Sequence, residues 1–401
     1  MIVGGGIGGL CAALSLTKQG FLVSVFEQSK SLGEVGAGLQ MTPNAMKVLT
    51  ALGLLEQIKK VSFSPENAVI RHYQTGKKFL NVPLGEGCCS RYNAPYLHLH
   101  RADLHRILLA EAKGQGVIFH LNSKVVQFEQ DDRQVSITME SGETFSGSML
   151  IGADGIRSKV LEQLQKSLSF QCNHKPPIFT GQVAWRGTIA TDLLPKGLIK
   201  PDATVWAGPG RHFVTYYLRG GKMVNFVAVE ERSQWTNESW NTAGDVEQLK
   251  SAFSGWHSEV TQLLAAADET FLWGLFAREP LSKWHLNRVV LLGDACHPML
   301  PFMAQGAAMA IEDAFVLAKE LSGVVLENSQ NVEQALTRYT HQRLPRTSKV
   351  QAMSKANADL YHMKGGALGR LRLNTIGMVT STLPSVVNVK LDPVYGLDVT
   401  Q

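Results

Sequence analysis

The feature that most constrains the fold is a glycine pattern at the start of the chain. Gly4, Gly6 and Gly9 follow a short apolar strand and open a helix whose apolar residues recur with helical period. In such a turn the first glycine permits the tight bend, the second lets backbone approach a pyrophosphate, and the third lets the helix pack on the strand. Glu27 ends the next buried strand, where a carboxylate can accept hydrogen bonds from ribose hydroxyls. Together these residues predict a dinucleotide site, with a ligand-free glycine turn as the plainer alternative.

Two aspartates follow buried apolar strands further along the chain. Asp154 lies in Gly152–Ser158, and Asp294 lies in Leu292–Ala295, ahead of a helix that is predicted over Gly306–Leu321. Ligands bind at the carboxyl ends of the strands in an α/β sheet, so both aspartates are expected in that crevice. The positive end of the last helix would suit a flavin ring that becomes anionic when reduced. These segments favour FAD over NAD as the resident dinucleotide.

The middle of the chain differs in character from its two ends. Residues 172–278 carry strand-like runs rich in aromatic and β-branched residues, namely Thr180–Ile189, Ala203–Trp206, His212–Leu218 and Met223–Val229. The 401 residues also exceed a usual single core. We therefore predict an α/β fold in which a Rossmann-like domain receives an inserted, mainly antiparallel β-sheet domain. The expected boundaries are 1–74, 98–171 and 279–355 for the first domain, 75–97 and 172–278 for the second, and 356–401 for a C-terminal helical segment and tail.

Local periodicity adds smaller elements. Single helices are predicted over residues 46–58 and about 245–266, and a hairpin over Val125–Met139. Residues 376–389 are mildly apolar, and the sequence does not choose between docking on the body, a second subunit or a lipid surface. Only Met1, Ile2 and Val3 precede the first glycine, which is consistent with a natural start a few residues upstream.

The three motifs, with Arg101 in His100–Leu104, resemble the single-component (group A) FAD-dependent aromatic hydroxylases. The resemblance runs from residue 1 to about 355 and is greatest for the salicylate hydroxylase, 3-hydroxybenzoate 6-hydroxylase and 6-hydroxynicotinate 3-monooxygenase branch. It implies a para-hydroxybenzoate hydroxylase-like FAD domain and hydroxylation of a small aromatic compound with O₂ through a flavin C4a-hydroperoxide. NADH or NADPH would bind transiently, since the chain has no second glycine motif of this kind.

The resemblance also implies which residues serve the cofactor. Gly4, Gly6 and Gly9 would hold the pyrophosphate, and Glu27 the adenosine ribose. Arg101 would pair with an FAD phosphate or with its aspartate neighbour, and Asp294 would bind the ribityl chain. The further positions implied as FAD contacts are Gln28, Gln40, Val126, Asp154, Pro301, Gly306 and Ala307.

His212 and Tyr216 are the candidate catalytic residues. They lie four apart on a predicted strand, and this even spacing places both on one face. A histidine that removes the phenol proton would make the ring more nucleophilic near neutral pH. The resembled 6-hydroxynicotinate and 3-hydroxybenzoate enzymes have histidine at the position of His212. The alternative is a histidine satisfied at a strand end and a tyrosine in the core.

The predicted pocket is apolar, which argues against 6-hydroxynicotinate itself. Gln40 and Phe302 stand where the 6-hydroxynicotinate enzyme has further histidines, and Leu300, Met303 and Met41 are expected nearby. A carbocyclic phenol or a larger aromatic fits better. Other functions left open are an FAD monooxygenase for a lipid-soluble ring or polyene, an FAD dehydrogenase or NAD(P)H oxidase, and a dinucleotide-binding regulator.

Several other signals are read as structural. His98, His100 and His105 lack a completing acidic or thiol ligand, so no metal is expected, and His297 is expected to hydrogen-bond locally. The basic run over residues 338–349 is typical of a solvated helix face. The net charge of +5 is spread along the chain, which argues against nucleic acid. The five cysteines include no C-x-x-C pair, which is typical of a reducing cytosol. No apolar run is long enough to span a bilayer. We therefore expect a cytoplasmic protein, either a monomer or a homodimer.

Overall fold

The computed structural model describes residues 1–33, 37–172, 175–235, 242–363, 366–382 and 385–401. The strands are β1 (Ile2–Val3), β2 (Ser24–Phe26), β3 (Gly38–Met41), β4 (Asn67–His72), β5 (Lys78–Pro83), β6 (Leu97–His100), β7 (Ile118–His120), β8 (Val125–Gln130), β9 (Val135–Met139), β10 (Thr144–Gly147), β11 (Leu150–Gly152), β12 (Ile178–Ala190), β13 (Ala203–Gly208), β14 (Arg211–Leu218), β15 (Met223–Glu231), β16 (Thr242–Ala243), β17 (Phe271–Ala277), β18 (His285–Leu286) and β19 (Val289–Leu291). The helices are α1 (Ile7–Lys18), α2 (Pro43–Ala51), α3 (Leu55–Val61), α4 (Gly85–Tyr92), α5 (Arg101–Gly114), α6 (Lys159–Leu164), α7 (Val246–Ala252), α8 (Ser258–Ala265), α9 (Gly306–Leu321), α10 (Ser329–Tyr361), α11 (Ala367–Thr382) and α12 (Ser385–Tyr395).

The first domain is built on a six-stranded sheet of order β18-β19-β11-β1-β2-β7. All neighbouring pairs are parallel except β18–β19 at one edge. Helix α1 packs against both α5 and α9, and its residues Leu10 and Leu14 are fully buried. The short central strands are apolar on both faces, as expected for a sheet covered on each side. The predicted Rossmann-like fold class is confirmed.

The second domain is an eight-stranded sheet of order β16-β17-β12-β15-β14-β13-β4-β5. Its pairs are antiparallel apart from β13–β4. One face, the outer face, carries Trp185, Phe213 and Phe226 and is covered by α7 and α8. The opposite face, the inner face, carries His212 and Val229 and turns toward the first domain. Alternation along each strand therefore separates a structural core from a surface that a ligand could use.

The position of β4 bears on the first domain boundary. Strand Asn67–His72 pairs with β13 and β5, so it belongs to the large sheet. We propose that the boundary lies before Asn67 rather than after residue 74. Strand β6 returns to the first domain, where it pairs with β3, in keeping with the expected restart at residue 98.

Two helix predictions were wrong in the same way. The stretch 46–58 forms α2 and α3, separated at Gly53, whose φ is 85°. The stretch 245–266 forms α7 and α8, separated near Gly255, whose φ is 74°. Glycine reaches this left-handed conformation at little cost and so ends a helix where periodicity alone would continue it. The predictions of α9 over Gly306–Leu321 and of the β8–β9 hairpin are confirmed.

The C-terminal segment docks on the body of the protein. Helix α10 has 33 residues and is about 50 Å long at 1.5 Å per residue. Leu373 of α11 is buried beside Phe79, and Tyr395 of α12 is buried beside Tyr92 and Tyr96. Of the apolar segment 376–389, residues 383–384 lie outside the described residues. In the part of the chain that the structure describes, no helix has both the length and the apolar character that crossing a membrane requires.

Candidate active site

Each glycine of the motif in the turn after β1 is required for a different structural reason. Gly4 has a φ of 106°, which disfavours any side chain. A Cβ on Gly9 would lie 2.0 Å from the carbonyl oxygen of Gly4, so α1 can pack on the turn only without a side chain there. A Cβ on Gly6 would meet no atom of the described residues within 4 Å and would enter open space at the N-terminus of α1. This opening suits a pyrophosphate.

Glu27, after the end of β2, is held by two backbone amides. Its Oε2 accepts from the Gly5 amide and its Oε1 from the Ser29 amide, each at 2.8 Å. On the other side of the turn, Nε2 of the buried His105 lies 2.8 Å from the Gly5 carbonyl oxygen. The turn is therefore fixed from both sides, and the carboxylate keeps lone pairs for hydroxyl donors. Gln28 follows and is exposed.

The two predicted aspartates lie at the ends of the adjacent strands β11 and β19. Oδ2 of Asp154 accepts from two amides at the start of α6, at 2.7 and 3.1 Å. Its Oδ1 is buried without a hydrogen-bond partner among the described residues. Asp294 is exposed. Desolvation by the protein around it nevertheless raises the pKa of its carboxyl, against the opposing charges of His297, Arg101 and Arg278. Burial likewise raises the pKa of Asp154.

Arg278, which follows β17, joins the two aspartate loops. Its Nη1 donates to the carbonyl oxygen of Ala295 at 3.1 Å, and its Nη2 donates to that of Ile156 at 2.6 Å. The side chain is buried, and burial lowers the pKa of its guanidinium. Sequence reasoning missed this residue because both of its partners are backbone atoms, which leave no side-chain pattern in the sequence.

Arg278→Ala should lower the free energy of unfolding by about 2–3 kcal/mol, because two buried carbonyls lose a charged donor. Urea unfolding of the purified variant measures this. Arg106→Ala is the matched control: its side chain is exposed in a pair with Asp103, so we expect a loss of about 0–1 kcal/mol. Equal losses in the two variants would show that Arg278 does not fasten the loops.

A turn between β19 and α9 is fixed by one face of α10. Pro301–Met303 form a 3₁₀ turn, and Ala304, with a φ of 53°, leads the chain into α9. The α10 side chains that donate to its carbonyl oxygens are Gln351 to Pro298 at 2.9 Å, Ser354 to Leu300 at 2.7 Å and Asn357 to Phe302 at 3.1 Å. The turn thus holds the half-buried Gly306 and Ala307, whose amides lie in the first turn of α9, at a defined place.

A buried charged cluster joins α9 to α10. Arg343 donates to Glu312 at 2.6 Å and to Asp313 at 2.7 Å, and Arg346 donates to Glu312 at 2.6 Å. The prediction of a solvated basic face over residues 338–349 is wrong for these two arginines, because they turn inward to carboxylates on α9. Nε2 of His297 lies 2.5 Å from Asp313, which confirms that this histidine bonds locally.

Cys296, His297 and Asp313 place one ligand atom each within 4.8 Å of one another. Both Asp313 oxygens already accept hydrogen bonds, from Arg343 and from the Gly293 amide. A cation would have to displace these donors, so we interpret the group as part of the charged cluster.

His212 lies on the inner face beside the turn before α9. Its ring is 5.1 Å from that of Phe302 and 5.3 Å from that of Tyr361, measured between centroids. Nδ1 of His212 is 2.8 Å from Nε2 of His362, whose Nδ1 is 2.9 Å from Oε1 of Glu231. Sequence reasoning missed His362 and Glu231. His362 lies inside the predicted C-terminal helical segment and Glu231 just after the predicted strand Met223–Val229, so neither position carried a strong signal.

Tyr216 lies further along the same face, against β3 and β6. A Cβ on Gly38 would lie 2.5 Å from the Tyr216 ring, so the tyrosine packs closely against the backbone of β3. The Gly38 amide donates to Oδ1 of Asn225 at 2.8 Å, and the His98 ring is 4.7 Å from that of Tyr216. His212 and Tyr216 are four strand positions, or about 13 Å, apart. The predicted shared face is present, but each residue has its own surroundings.

The apolar side chains predicted to line the pocket divide between three places. Leu300 and Phe302 pack on the inner face, as expected. Met303 packs with the cluster that contains Tyr96, and Met41 is buried in the core of the first domain. Gln40, on β3, accepts a hydrogen bond from Tyr96 at 2.5 Å.

Two more of the predicted cofactor positions are Arg101 and Val126. Arg101 opens α5 and is half-buried, and its charge acts on the carboxyl of Asp294. Its neighbour Asp103 is bonded to Arg219 at 2.7 Å. Val126 is exposed and lies at a bulge in β8, next to a groove of about 490 Å³ between β8 and α6. A bulge leaves the backbone of its extra residue unpaired.

Comparison with known proteins identifies the family. The family described as an FAD binding domain matches residues 1–354. A 6-hydroxynicotinate 3-monooxygenase of Pseudomonas fluorescens is 37% identical over 359 residues, which cover 89% of this chain and 90% of that protein. A 3-amino-4-hydroxybenzoate 2-monooxygenase of Streptomyces platensis is 35% identical over 371 residues, covering 92% and 90%.

The chain belongs to the FAD-dependent monooxygenases. Solved structures agree: a salicylate hydroxylase in complex with its substrate superimposes with a TM-score of 0.83 at 25% identity, over 99% of this chain and 95% of that one. The monooxygenase therefore uses FAD, and NAD(P)H is the co-substrate typical of its family. The predicted family, enzyme class and cofactors are confirmed.

The residues of this monooxygenase fit FAD by three independent observations. The opening at Gly6 is a cradle that a Cβ would fill. The unpartnered Oδ1 of Asp154 is a buried acceptor at the crevice. Val126, the extra residue of the β8 bulge, is exposed beside the groove between β8 and α6. An anionic dinucleotide with hydroxyl donors matches these groups.

The monooxygenase should lose stability in mild acid because of buried neutral histidines. Burial lowers the pKa of His98 to about 3 and that of His285 to about 4. Unfolded histidine titrates near 6.5, so the unfolded state takes up more protons as the pH falls below that value, and stability is lost toward the folded pKa. Each histidine should cost about 2 kcal/mol at pH ~5 relative to pH ~8.

Unfolding free energy measured against pH tests this expectation. His98→Phe should reduce the acid loss, whereas His341→Gln, an exposed histidine on α10, should leave it unchanged. An unaltered acid loss in His98→Phe would mean that His98 is already protonated in the folded protein.

Proposed function

We propose that this monooxygenase hydroxylates a small phenolic aromatic acid, using NAD(P)H and O₂. The observation that carries the proposal is His212, buried on the inner face and in contact with Phe302 of the turn before α9. Burial lowers the pKa of His212 well below its usual value, and His362 acts in the same direction. The ring is therefore neutral near pH 7 and able to accept a phenol proton.

We propose a placement of FAD that uses the crevice of the six-stranded sheet. Its pyrophosphate would lie over Gly6, between Gly4 and Gly9, and its adenosine ribose at Glu27. The ribityl chain would lie at Asp294, with the flavin ring at the N-terminus of α9. The remaining residues proposed to border FAD are Gln28, Gln40, Arg101, Val126, Asp154, Pro301, Gly306 and Ala307.

The substrate would bind on the inner face, between the strand positions of His212 and Tyr216. The cross-strand neighbours Val205, Val214 and Val227 share the inner face and are partly exposed, which leaves room between the two positions. Apolar walls of this kind orient an aromatic ring and exclude water. Bound FAD supplies the activated oxygen, while His212 holds the phenol proton and Tyr216 faces the opposite end of the ring.

Arg186 supports an acidic substrate. Arg186 is on β12 and pairs with Val227 of β15, so its side chain is on the inner face. Its guanidinium is 4.3 Å from the centre of the Trp273 ring. Its charge acts to lower the pKa of Tyr216, against the effect of burial, so it lies near that end of the site. The relatives named above act on hydroxylated rings that carry a carboxylate.

Arg186→Gln should raise KM for a hydroxybenzoate about 10- to 100-fold, because a charged hydrogen bond to the carboxylate is lost. KM for the matching phenol without the carboxylate should change little. Steady-state NAD(P)H oxidation with both compounds measures this, and thermal unfolding of the variant checks its fold. Equal changes for the two compounds would exclude Arg186 as the carboxylate partner.

The test of the function is turnover by the purified yellow protein with a panel of hydroxybenzoates, hydroxypyridines, quinone precursors and polyenes. We expect one phenolic acid to stimulate NAD(P)H oxidation and to give that acid plus one oxygen by mass. Product only from the lipid-soluble rings would favour the second kind of monooxygenase. Peroxide without any oxygenated product would favour an oxidase.

Two expectations about the whole protein stay predictions. A cytoplasmic location is supported by the cysteines, since Cys11, Cys88, Cys89, Cys172 and Cys296 are all free. A monomer or homodimer is expected, and light scattering of the purified protein would decide between them.

A further inference from the structure

A line of three ionisable side chains runs from the inner face to the protein surface. His212 and His362 are 1% and 2% exposed, whereas the side chain of Glu231 is 55% exposed. The distances are 2.8 Å from His212 Nδ1 to His362 Nε2 and 2.9 Å from His362 Nδ1 to Glu231 Oε1. Each step is a hydrogen bond, and the last group is in water.

The carboxylate at the outer end fixes the direction of the whole chain. An ionised glutamate only accepts, so Nδ1 of His362 must carry its proton. A neutral His362 then has an unprotonated Nε2, which accepts from Nδ1–H of His212. Nε2 of His212 is left as a lone pair. The arrangement therefore holds His212 in the tautomer that a proton acceptor requires.

The backbone holds the line in place. The Gly210 amide donates to the carbonyl oxygen of His362 at 2.9 Å, and the Glu231 amide donates to that of Gly210 at 3.0 Å. Gly210 has a φ of 63° in the tight turn between β13 and β14. His362 directly follows α10, whose helix dipole favours a cation at that end. A transient proton on His362 is thus stabilised where burial alone would disfavour it.

We propose that His362 and Glu231 form the proton exit of the active site, a proposal that rests on the proposed function. The phenol O–H breaks and an Nε2–H bond forms on His212. The Nδ1 proton of His212 then passes to Nε2 of His362, whose own Nδ1 proton passes to Glu231 and on to solvent. Return of a proton along the same line, when the product hydroxyl re-forms, resets both tautomers.

Two charged groups that act on His362, Glu231 and Asp359, can be tested separately. Burial lowers the pKa of His362, while Glu231 and Asp359 both act to raise it. Asp359→Asn therefore removes a nearby negative charge and keeps the hydrogen bond to Glu231. Glu231→Gln keeps the size and an acceptor oxygen of the outer group, but its amide cannot take up a proton as the carboxylate does. These two variants separate an electrostatic effect from a broken path.

The experiment follows ionisation of a bound phenol in the oxidised, FAD-loaded protein, without NAD(P)H. Stopped-flow absorbance reports phenolate formation in low and high concentrations of imidazole buffer. In low buffer, Glu231→Gln should slow ionisation about 10-fold or more, and high buffer should restore it, since a small base replaces the exposed carboxylate. Asp359→Asn should show no such dependence on buffer.

Two results would overturn the relay. One is wild-type ionisation in Glu231→Gln at every buffer concentration, and the other is a slow rate that buffer does not restore. His362→Gln, which interrupts the line inside the protein, should be slow in both buffers with unchanged FAD affinity. If wild-type protein neither ionises nor hydroxylates any phenol, the proposed function fails instead of the relay.

Discussion

Gly9→Ala should prevent stable folding, whereas Gly6→Ala should leave a folded protein that binds FAD poorly. The new Cβ of Gly9→Ala would lie 2.0 Å from the carbonyl oxygen of Gly4. Because both atoms belong to the backbone, a rotamer change cannot relieve this clash, and the free energy of unfolding should fall by more than about 3 kcal/mol. The new Cβ of Gly6→Ala meets no atom of the described residues within 4 Å. It occupies ligand space instead, and FAD affinity should fall about 10- to 100-fold or more.

Urea unfolding of apoprotein and fluorescence titration with FAD separate these outcomes. Gly114→Ala is the control, because its Cβ also meets no atom of the described residues and lies far from the turn; unfolding should change by less than about 1 kcal/mol. Normal FAD binding by Gly6→Ala would place the pyrophosphate elsewhere. A stable Gly9→Ala would contradict the close packing of α1 on the turn.

His212→Gln should lower the rate of hydroxylation about 10²- to 10⁴-fold at neutral pH, the range that a positioned general base contributes. The loss should shrink as the pH rises, because a phenol that ionises in solution near pH ~10 no longer needs the base. Wild-type activity should show no such rise above neutrality, since the pKa of His212 lies well below its usual value.

Product formation measured by mass, and NAD(P)H consumption measured in parallel, give the coupling of each variant. His341→Gln makes the same replacement at an exposed position on α10 and should match wild type. A pH-independent loss in His212→Gln would point to packing against Phe302 rather than to proton transfer. Wild-type activity in His212→Gln would remove the histidine from the mechanism.

The parts of the fold that follow from local patterns were predictable from the sequence. The turn at Gly4–Gly9, strand β14 and helix α9 each depend on residues close together in the chain, whose spacing is visible in the sequence. The positions of His212 and Tyr216 on one face follow from strand alternation in the same way. Strand geometry also gives their separation of about 13 Å, but it could not show that His212 packs beside Phe302 and Tyr216 beside His98.

The parts that depend on distant partners were not predictable. Arg278 and Ile156 are 122 positions apart, and His362 and Glu231 are 131 apart. The inward turn of Arg343 had one usable signal, because Glu312 and Asp313 stand between apolar residues of a predicted helix. Buried carboxylates need a cationic partner, so that pair predicts an arginine from elsewhere in the chain.

The two ends of helix α10 contact regions of the protein that have different tasks. One end is fixed beside the six-stranded sheet through Thr340 and His285, and the other carries the side chains that fix the Pro301–Met303 turn. Because one helix contacts both regions, a shift of α10 would move the Pro301–Met303 turn, beside which the flavin ring is proposed to lie, together with His362, the hydrogen-bond partner of the proposed base His212. Laboratory evolution toward a bulkier ring should therefore find its beneficial substitutions on the strands, at side chains such as Val214 and Val227, and rarely on this helix.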